Sequence, residues 1–291
     1  MTVELVLNTK CVIGEGPSWD ERTQTIYFID LLGNEIFSYD GRETKRMRLD
    51  ENIGTAVVRE KGGLMAATLT GYHAVDFPDG ESVKLIDPEE NRENSRFNDG
   101  KCDAKGRFWA GTMSRSLDSG YGEARPESAL WCLETDGSVH KKLDHVIQGN
   151  GMAWTADNKK MYFIDSQTYT VQEFDFDLEK GELSNGHVVV SVPKRKGLPD
   201  GMTVDEEGMI WVALWGGGAV TRWNPETGEL LQTIQLPAKN VTACTFGGKD
   251  MDELFVTTAA LDTNEKEYPY AGGLFKIKLP VKGVPSYRYK G

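Results

Sequence analysis

Apolar and polar positions alternate along this chain in short bursts, and the bursts recur. The runs at 26–30, 108–112, 161–165 and 210–214 are rich in aromatic and β-branched residues, which suit a pleated, half-buried surface. Each follows, by about ten residues, a carboxylate or amide set before glycine: Glu15-Gly16, Asn98-Asp99-Gly100, Asn150-Gly151 and Asp200-Gly201. The same register extends to 64–68 behind Gly54 and to 254–258 behind Ala243 and Cys244. Further strand-like runs come after most of these, at 36–40, 130–134, 171–176, 220–224 and 274–278, and turn dipeptides such as Asp40-Gly41, Asp136-Gly137 and Lys180-Gly181 punctuate the chain. No segment shows sustained helical periodicity behind an N-cap.

Six units of roughly 40–50 residues predict an all-β fold, a six-bladed β-propeller with a central metal-binding channel, occupying residues 1–291 as one domain. The innermost strand of each blade lines the axis, so the recurring polar heads converge there. A ring leaves no open edge only if its last blade is tied to a terminus. Val3-Glu4-Leu5-Val6-Leu7 is one candidate closing strand, and 284–289 is another. The longest interruption is 113–128, where Gly120, Gly122 and Pro126 break regular structure; a loop of that length in a compact fold points to a lid, the alternative being an exposed excursion.

Charge removes several functions. The 291 residues carry a formal charge of −12, which argues against nucleic acid and against anionic membrane surfaces. No apolar run approaches the roughly 20 residues needed to span a bilayer, and the first residues have no basic or apolar leader pattern. Cys11, Cys102, Cys132 and Cys244 are scattered without C-x-x-C spacing, as expected of reduced thiols in a cytoplasmic protein.

Glu15, Asn150 and Asp200 offer only oxygen atoms, a set suited to a hard divalent ion such as Ca²⁺, Mg²⁺ or Mn²⁺. Close carboxylates repel when ionised, so a shared metal explains their convergence. The competing explanation is that these dipeptides are simply turns; the shared register favours the metal. Arg96 and Asn98, two apart on a strand, face the same way, and would suit a hydroxyl- and carbonyl-rich substrate unless Arg96 serves a blade-to-blade ion pair. By the same alternation Asp99 and Lys101 point away and are structural. The four histidines lie off the channel register and no G-x-S-x-G elbow is present, so no serine triad is expected. Asp175 to Gly181 places Lys180 where a calcium loop needs glycine, and a hairpin turn is expected there.

The segments Gly14-Glu15-Gly16-Pro17-Ser18-Trp19, Arg96-Phe97-Asn98-Asp99-Gly100-Lys101, Gly149-Asn150-Gly151-Met152-Ala153-Trp154 and Pro199-Asp200-Gly201-Met202 together resemble the family of gluconolactonases, regucalcin (senescence marker protein) and luciferin-regenerating enzymes. The resemblance runs from Cys11 to the end of the chain. It implies one divalent ion held by Glu15, Asn150 and Asp200, with Asp200 also acting as general base. Arg96 and Asn98 match positions that contact substrate or metal-bound water, and the substrate implied is a small sugar lactone. Ca²⁺ is the expected ion, with Mg²⁺, Mn²⁺ or Zn²⁺ able to serve. The family also places a lid glutamate on sugar hydroxyls; here Ala124 falls at that place and Glu123 one residue away, leaving Glu123, with Tyr121 and Arg125, as lid candidates. Two other functions fit the same residues: a calcium-binding regulator without turnover, and a metal-dependent hydrolase of another ester, a phosphotriester or a luciferin-related adduct.

Overall fold

The computed structural model describes residues 2–119 and 123–291. After β1 (Val3–Leu7), blade 1 comprises β2 (Gly14–Asp20), β3 (Thr25–Asp30), β4 (Glu35–Tyr39) and β5 (Thr44–Arg48). Blade 2 holds β6 (Ile53–Val58), β7 (Leu64–Thr68), β8 (Gly71–Val75) and β9 (Ser82–Ile86). Blade 3 holds β10 (Ser95–Cys102), β11 (Phe108–Ser114), β12 (Ser128–Leu133) and β13 (Val139–Val146). Blade 4 holds β14 (Gly149–Trp154), β15 (Lys160–Asp165), β16 (Thr170–Asp177) and β17 (Glu182–Ser191). Blade 5 holds β18 (Leu198–Val204), β19 (Ile210–Trp215), β20 (Ala219–Trp223) and β21 (Leu230–Gln235). Blade 6 holds β22 (Asn240–Gly247), β23 (Glu253–Ala259) and β24 (Leu274–Lys278), and takes β1 as its fourth strand, in the order β1-β24-β23-β22.

Each blade is an antiparallel meander, and the six form a β-propeller. Of the two candidate closing strands, β1 does the work, pairing Val3 with Ile277 and Leu5 with Phe275. The C-terminal segment takes another path. Gly283 bridges to Asp205 of blade 5, Tyr289 bridges to Arg59 of blade 2, and the residues between cross the rear end of the axis. Tyr289 is buried, its backbone N–H donating to Val58 and its hydroxyl to the carbonyl of Glu134.

The apolar core is six cores, one in each gap between neighbouring blades. Ile29, Ile36, Ile53 and Ala66 fill the gap between blades 1 and 2, and Trp211, Val220, Phe246 and Phe275 that between 5 and 6. Blade 6 closes on blade 1 through the stacked rings of Trp19 and Phe255, 5.4 Å apart. Buried aromatic pairs of this kind add to the area they bury, so ring closure is driven by packing as well as by the β1 ladder. The four cysteines are buried and unpaired, as expected, and residues 177–181 form the turn of the β16–β17 hairpin. Among the described residues no helix is long and apolar enough to cross a membrane.

Candidate metal centre

The innermost strands β2, β6, β10, β14, β18 and β22 all carry a break in register at the same place. It falls between Glu15 and Ser18, Ile53 and Thr55, Phe97 and Gly100, Gly149 and Met152, Pro199 and Met202, and Val241 and Ala243. A bulge frees residues from the ladder and re-aims their side chains, and the polar heads sit in these bulges. The glycine behind each head is demanded by crowding at the axis. A Cβ on Gly151 would lie 2.6 Å from the carbonyl oxygen of Asp200, and Gly16 adopts φ +54° against Thr55, a backbone that favours glycine.

Glu15, Asn98, Asn150 and Asp200 thereby reach one cavity of about 310 Å³ at the front end of the axis, with Arg96 and Asp118 in its wall. Asn150 is 1 % exposed. Its Nδ2 donates to Ser166 Oγ at 3.0 Å, and Ser166 Oγ donates to the carbonyl of Pro199 at 2.7 Å. One hydroxyl thus orients the amide and ties it to the residue before Asp200. With Nδ2 so engaged, Asn150 Oδ1 is left buried without any hydrogen-bond donor among the described residues. A buried, unsatisfied carbonyl oxygen costs free energy; set beside two carboxylates, it is what a cation would repay.

The electrostatics point the same way. Burial pushes the Glu15 carboxyl well above the carboxylate range, and repulsion from Asp200 and then Asp99 adds to the effect. Asp200 is raised in the same way, by burial first and Asp99 second, with Asn150 and Arg96 drawing it partly back. Among the described residues no group of three or more His, Cys, Asp and Glu side chains is arranged to hold a metal; the convergent set here is two carboxylates completed by an amide. The donor chemistry of Glu15, Asn150 and Asp200 fits a hard divalent ion.

Three expectations change. Arg96 reaches the cavity wall, but its guanidinium is already engaged: Nε and Nη2 bond Asp118, at 3.0 and 2.5 Å, while Nη1 donates to Phe97 O and to Asn98 Oδ1, each at 2.9 Å. Asn98 Nδ2 in turn donates to Gly149 O. Glu123 is absent from the cavity wall; its side chain is 77 % exposed and pairs with Arg125, whereas Ala124 lines the cavity. A carboxylate on the outer face of a loop gains water and a cation there, and the loop carboxylate that reaches the cavity wall is Asp118, in the short 3₁₀ turn Arg115–Ser119. Tyr121 lies outside the described residues.

The third change concerns Asp99 and Lys101. Strict alternation would turn both away from the axis, but the bulge at Asn98-Asp99 breaks it, and the buried Asp99 and half-buried Lys101 line a rear cavity behind the candidate metal centre. Ser166 and Asp118 carried no sequence signal: one follows a strand end, the other sits in an irregular loop.

A β-propeller whose bulged inner strands gather oxygen donors on the axis defines the class. Residues 13–260 match the model of the SMP-30/gluconolactonase/LRE-like region, and the chain belongs to that family. Regucalcin of Bos taurus is 39 % identical over 295 residues, covering 99 % of this chain and 98 % of its relative. Among solved structures, a luciferin-regenerating enzyme superposes with a TM-score of 0.91 at 31 % identity, over 100 % of this chain and 99 % of the other. A calcium-binding protein, regucalcin, from Agrobacterium tumefaciens has the same fold, with a TM-score of 0.91 at 24 % identity over 100 % and 98 % of the two chains.

Proposed function

We propose that this protein hydrolyses sugar lactones at the front end of its channel. The observation that carries this is the unsatisfied Asn150 Oδ1 beside the buried carboxylates of Glu15 and Asp200, at the base of an open cavity. Family membership supports a sugar lactone as the substrate class. Glu15, Asn150 and Asp200 would hold a divalent ion, Ca²⁺ being the expected one, and when bound it would supply Lewis acidity at the lactone carbonyl.

The chain's own residues account for the rest. Asp200 is positioned as the general base, its proton affinity raised by burial and by Asp99. It takes a proton from water as the water oxygen bonds the carbonyl carbon; the ring C–O bond then breaks, and the ring oxygen leaves as a hydroxyl, taking back the proton from Asp200. Asn98, held by Arg96 and by Gly149 O, shapes the side of the cavity where the lactone ring rests. Gln148 and Gln167, which bond each other at 2.7 Å, and Asp118 offer polar partners for ring hydroxyls.

A pH-stat assay over a lactone panel, with and without chelator, tests the proposal. Turnover that chelation abolishes and Ca²⁺, Mg²⁺, Mn²⁺ or Zn²⁺ restores is the expected result. Metal binding with no turnover of any lactone or other ester would identify a calcium-binding regulator instead. That second reading draws on the regucalcin relatives, one of which is a calcium-binding protein.

A further inference from the structure

Behind the candidate metal centre, Lys101 crosses the channel. It leaves β10 in blade 3, and its Nζ donates at 2.5 Å to the carbonyl of Met202 in blade 5, two residues beyond Asp200. Blade 4 lies between these two, so the lysine stem is a strut across the axis that braces the strand carrying Asp200. The strut lines the small rear cavity that the C-terminal segment covers. Bracing with lysine has an electrostatic consequence, because a half-buried ammonium now lies behind the place where a cation would bind.

Asp99 answers it. Its carboxylate is 4 % exposed, has only the N–H of Gly100 as hydrogen-bond donor among the described residues, and lines the same rear cavity as Lys101, together with Gly16 and Met202, which flank Glu15 and Asp200. The neighbouring Cys244 thiol donates to Trp211 O and, pushed up to about 12 by burial, is neutral, while Arg96 is already matched by Asp118.

We infer that Asp99 is the counter-charge that lets a divalent cation sit beside the Lys101 strut, and that the two together hold the centre at two net negative charges. Neither touches substrate and neither is a ligand. The inference rests on the metal-centre reading. It requires that each charge alone be disruptive and that the two be dispensable together, since opposite charges sharing one enclosed cavity balance each other whereas one left alone is uncompensated.

Calcium affinity by calorimetry, on the full chain stripped of metal, provides the test. Asp99→Asn strands the ammonium and is expected to weaken Ca²⁺ binding at least about tenfold. Asp99→Asn with Lys101→Met is expected to return it to within about threefold of wild type, a rescue that a purely structural role for either residue would not give. Lys101→Met alone leaves a third negative charge, and its preference for Tb³⁺ over Ca²⁺, read by tryptophan-sensitised luminescence, is expected to rise at least about tenfold. Thermal unfolding in chelator confirms that each variant folds; if Asp99→Asn does not, the Tb³⁺ to Ca²⁺ ratio of Lys101→Met decides. Unchanged affinity in Asp99→Asn, a double variant no better than the single, or an unchanged Tb³⁺ to Ca²⁺ ratio would overturn the inference. Wild-type protein that binds none of Ca²⁺, Mg²⁺, Mn²⁺ or Zn²⁺ would overturn the metal-centre reading itself, and the inference with it.

Discussion

Arg96 and Asp118 meet edge to edge, with Nε and Nη2 of the guanidinium on the two carboxylate oxygens and the arginine side chain 4 % exposed. The contact fastens the 113–128 loop to the innermost strand of blade 3, and through Asn98 to Gly149 of blade 4. Asp118→Ala should therefore loosen the loop and unsettle Asn98 together. The loss of charge-assisted bonds from a buried guanidinium is expected to cost about 2 kcal/mol of stability. Steady-state kinetics over a lactone panel should show a higher KM and a changed ranking of sugars, while Ca²⁺ affinity stays within about twofold. An unchanged ranking would mean that the loop is an exposed excursion.

Asp200→Asn separates holding a cation from accepting a proton. The amide keeps an oxygen for the ion and gives up basicity, so turnover should fall by about 10² to 10⁴ with metal binding weakened but measurable. A fully active Asp200→Asn protein would remove Asp200 from the role of base.

Ser166→Ala leaves the Asn150 Nδ2 without its acceptor and frees the amide to rotate. Loss of an orienting partner outside a ligand set commonly lowers metal affinity by about 10- to 100-fold, and calorimetric titration should find that loss without a large change in fold. Ser166→Thr, which keeps the hydroxyl, should retain more of the affinity.

Acid and base should act on the metal-free protein in an unusual direction. Glu15 and Asp200 have raised proton affinities in the folded state, so the fold favours their protonated forms. Their contribution is fully present below the ordinary carboxylate pKa of about 4 and is lost as pH rises through the folded values. In chelator, Tm should be lowered by these two groups as pH rises above about 4, and Glu15→Gln should reduce that slope and raise Tm at neutral pH. Saturating Ca²⁺ should reverse the effect, adding about 2.7 kcal/mol at a hundred times its Kd.

Much of this architecture was legible in the chain because inner and middle strands are buried and patterned. The second-strand runs predicted at 64–68 and 210–214 are observed within one residue as Leu64–Thr68 and Ile210–Trp215. The outer strands were not legible, since the rim of a propeller is solvated: every residue of β9 and all but one of β5 are exposed, Val83 and Leu85 included, so no alternation marks them. The convergence of Glu15, Asn98, Asn150 and Asp200 followed from their common register. The roles of Asp99 and Lys101 did not, because period-two alternation fails inside a bulge. Nor could spacing show that Arg96 would spend its donors on Asp118, a residue 22 positions away in an irregular loop.

The pairing of β1 with β24 carries a consequence for biosynthesis. The two strands are made roughly 270 residues apart, so at about 5–20 residues per second the earlier one waits some 15–50 s for its partner. During that interval Val3, Leu5 and Leu7 have no ladder to join, and the Trp19 face of blade 1 has no Phe255 to cover it. The ring therefore shuts only when blade 6 arrives, and until then its first blade offers an open apolar flank to whatever stands at the ribosome exit.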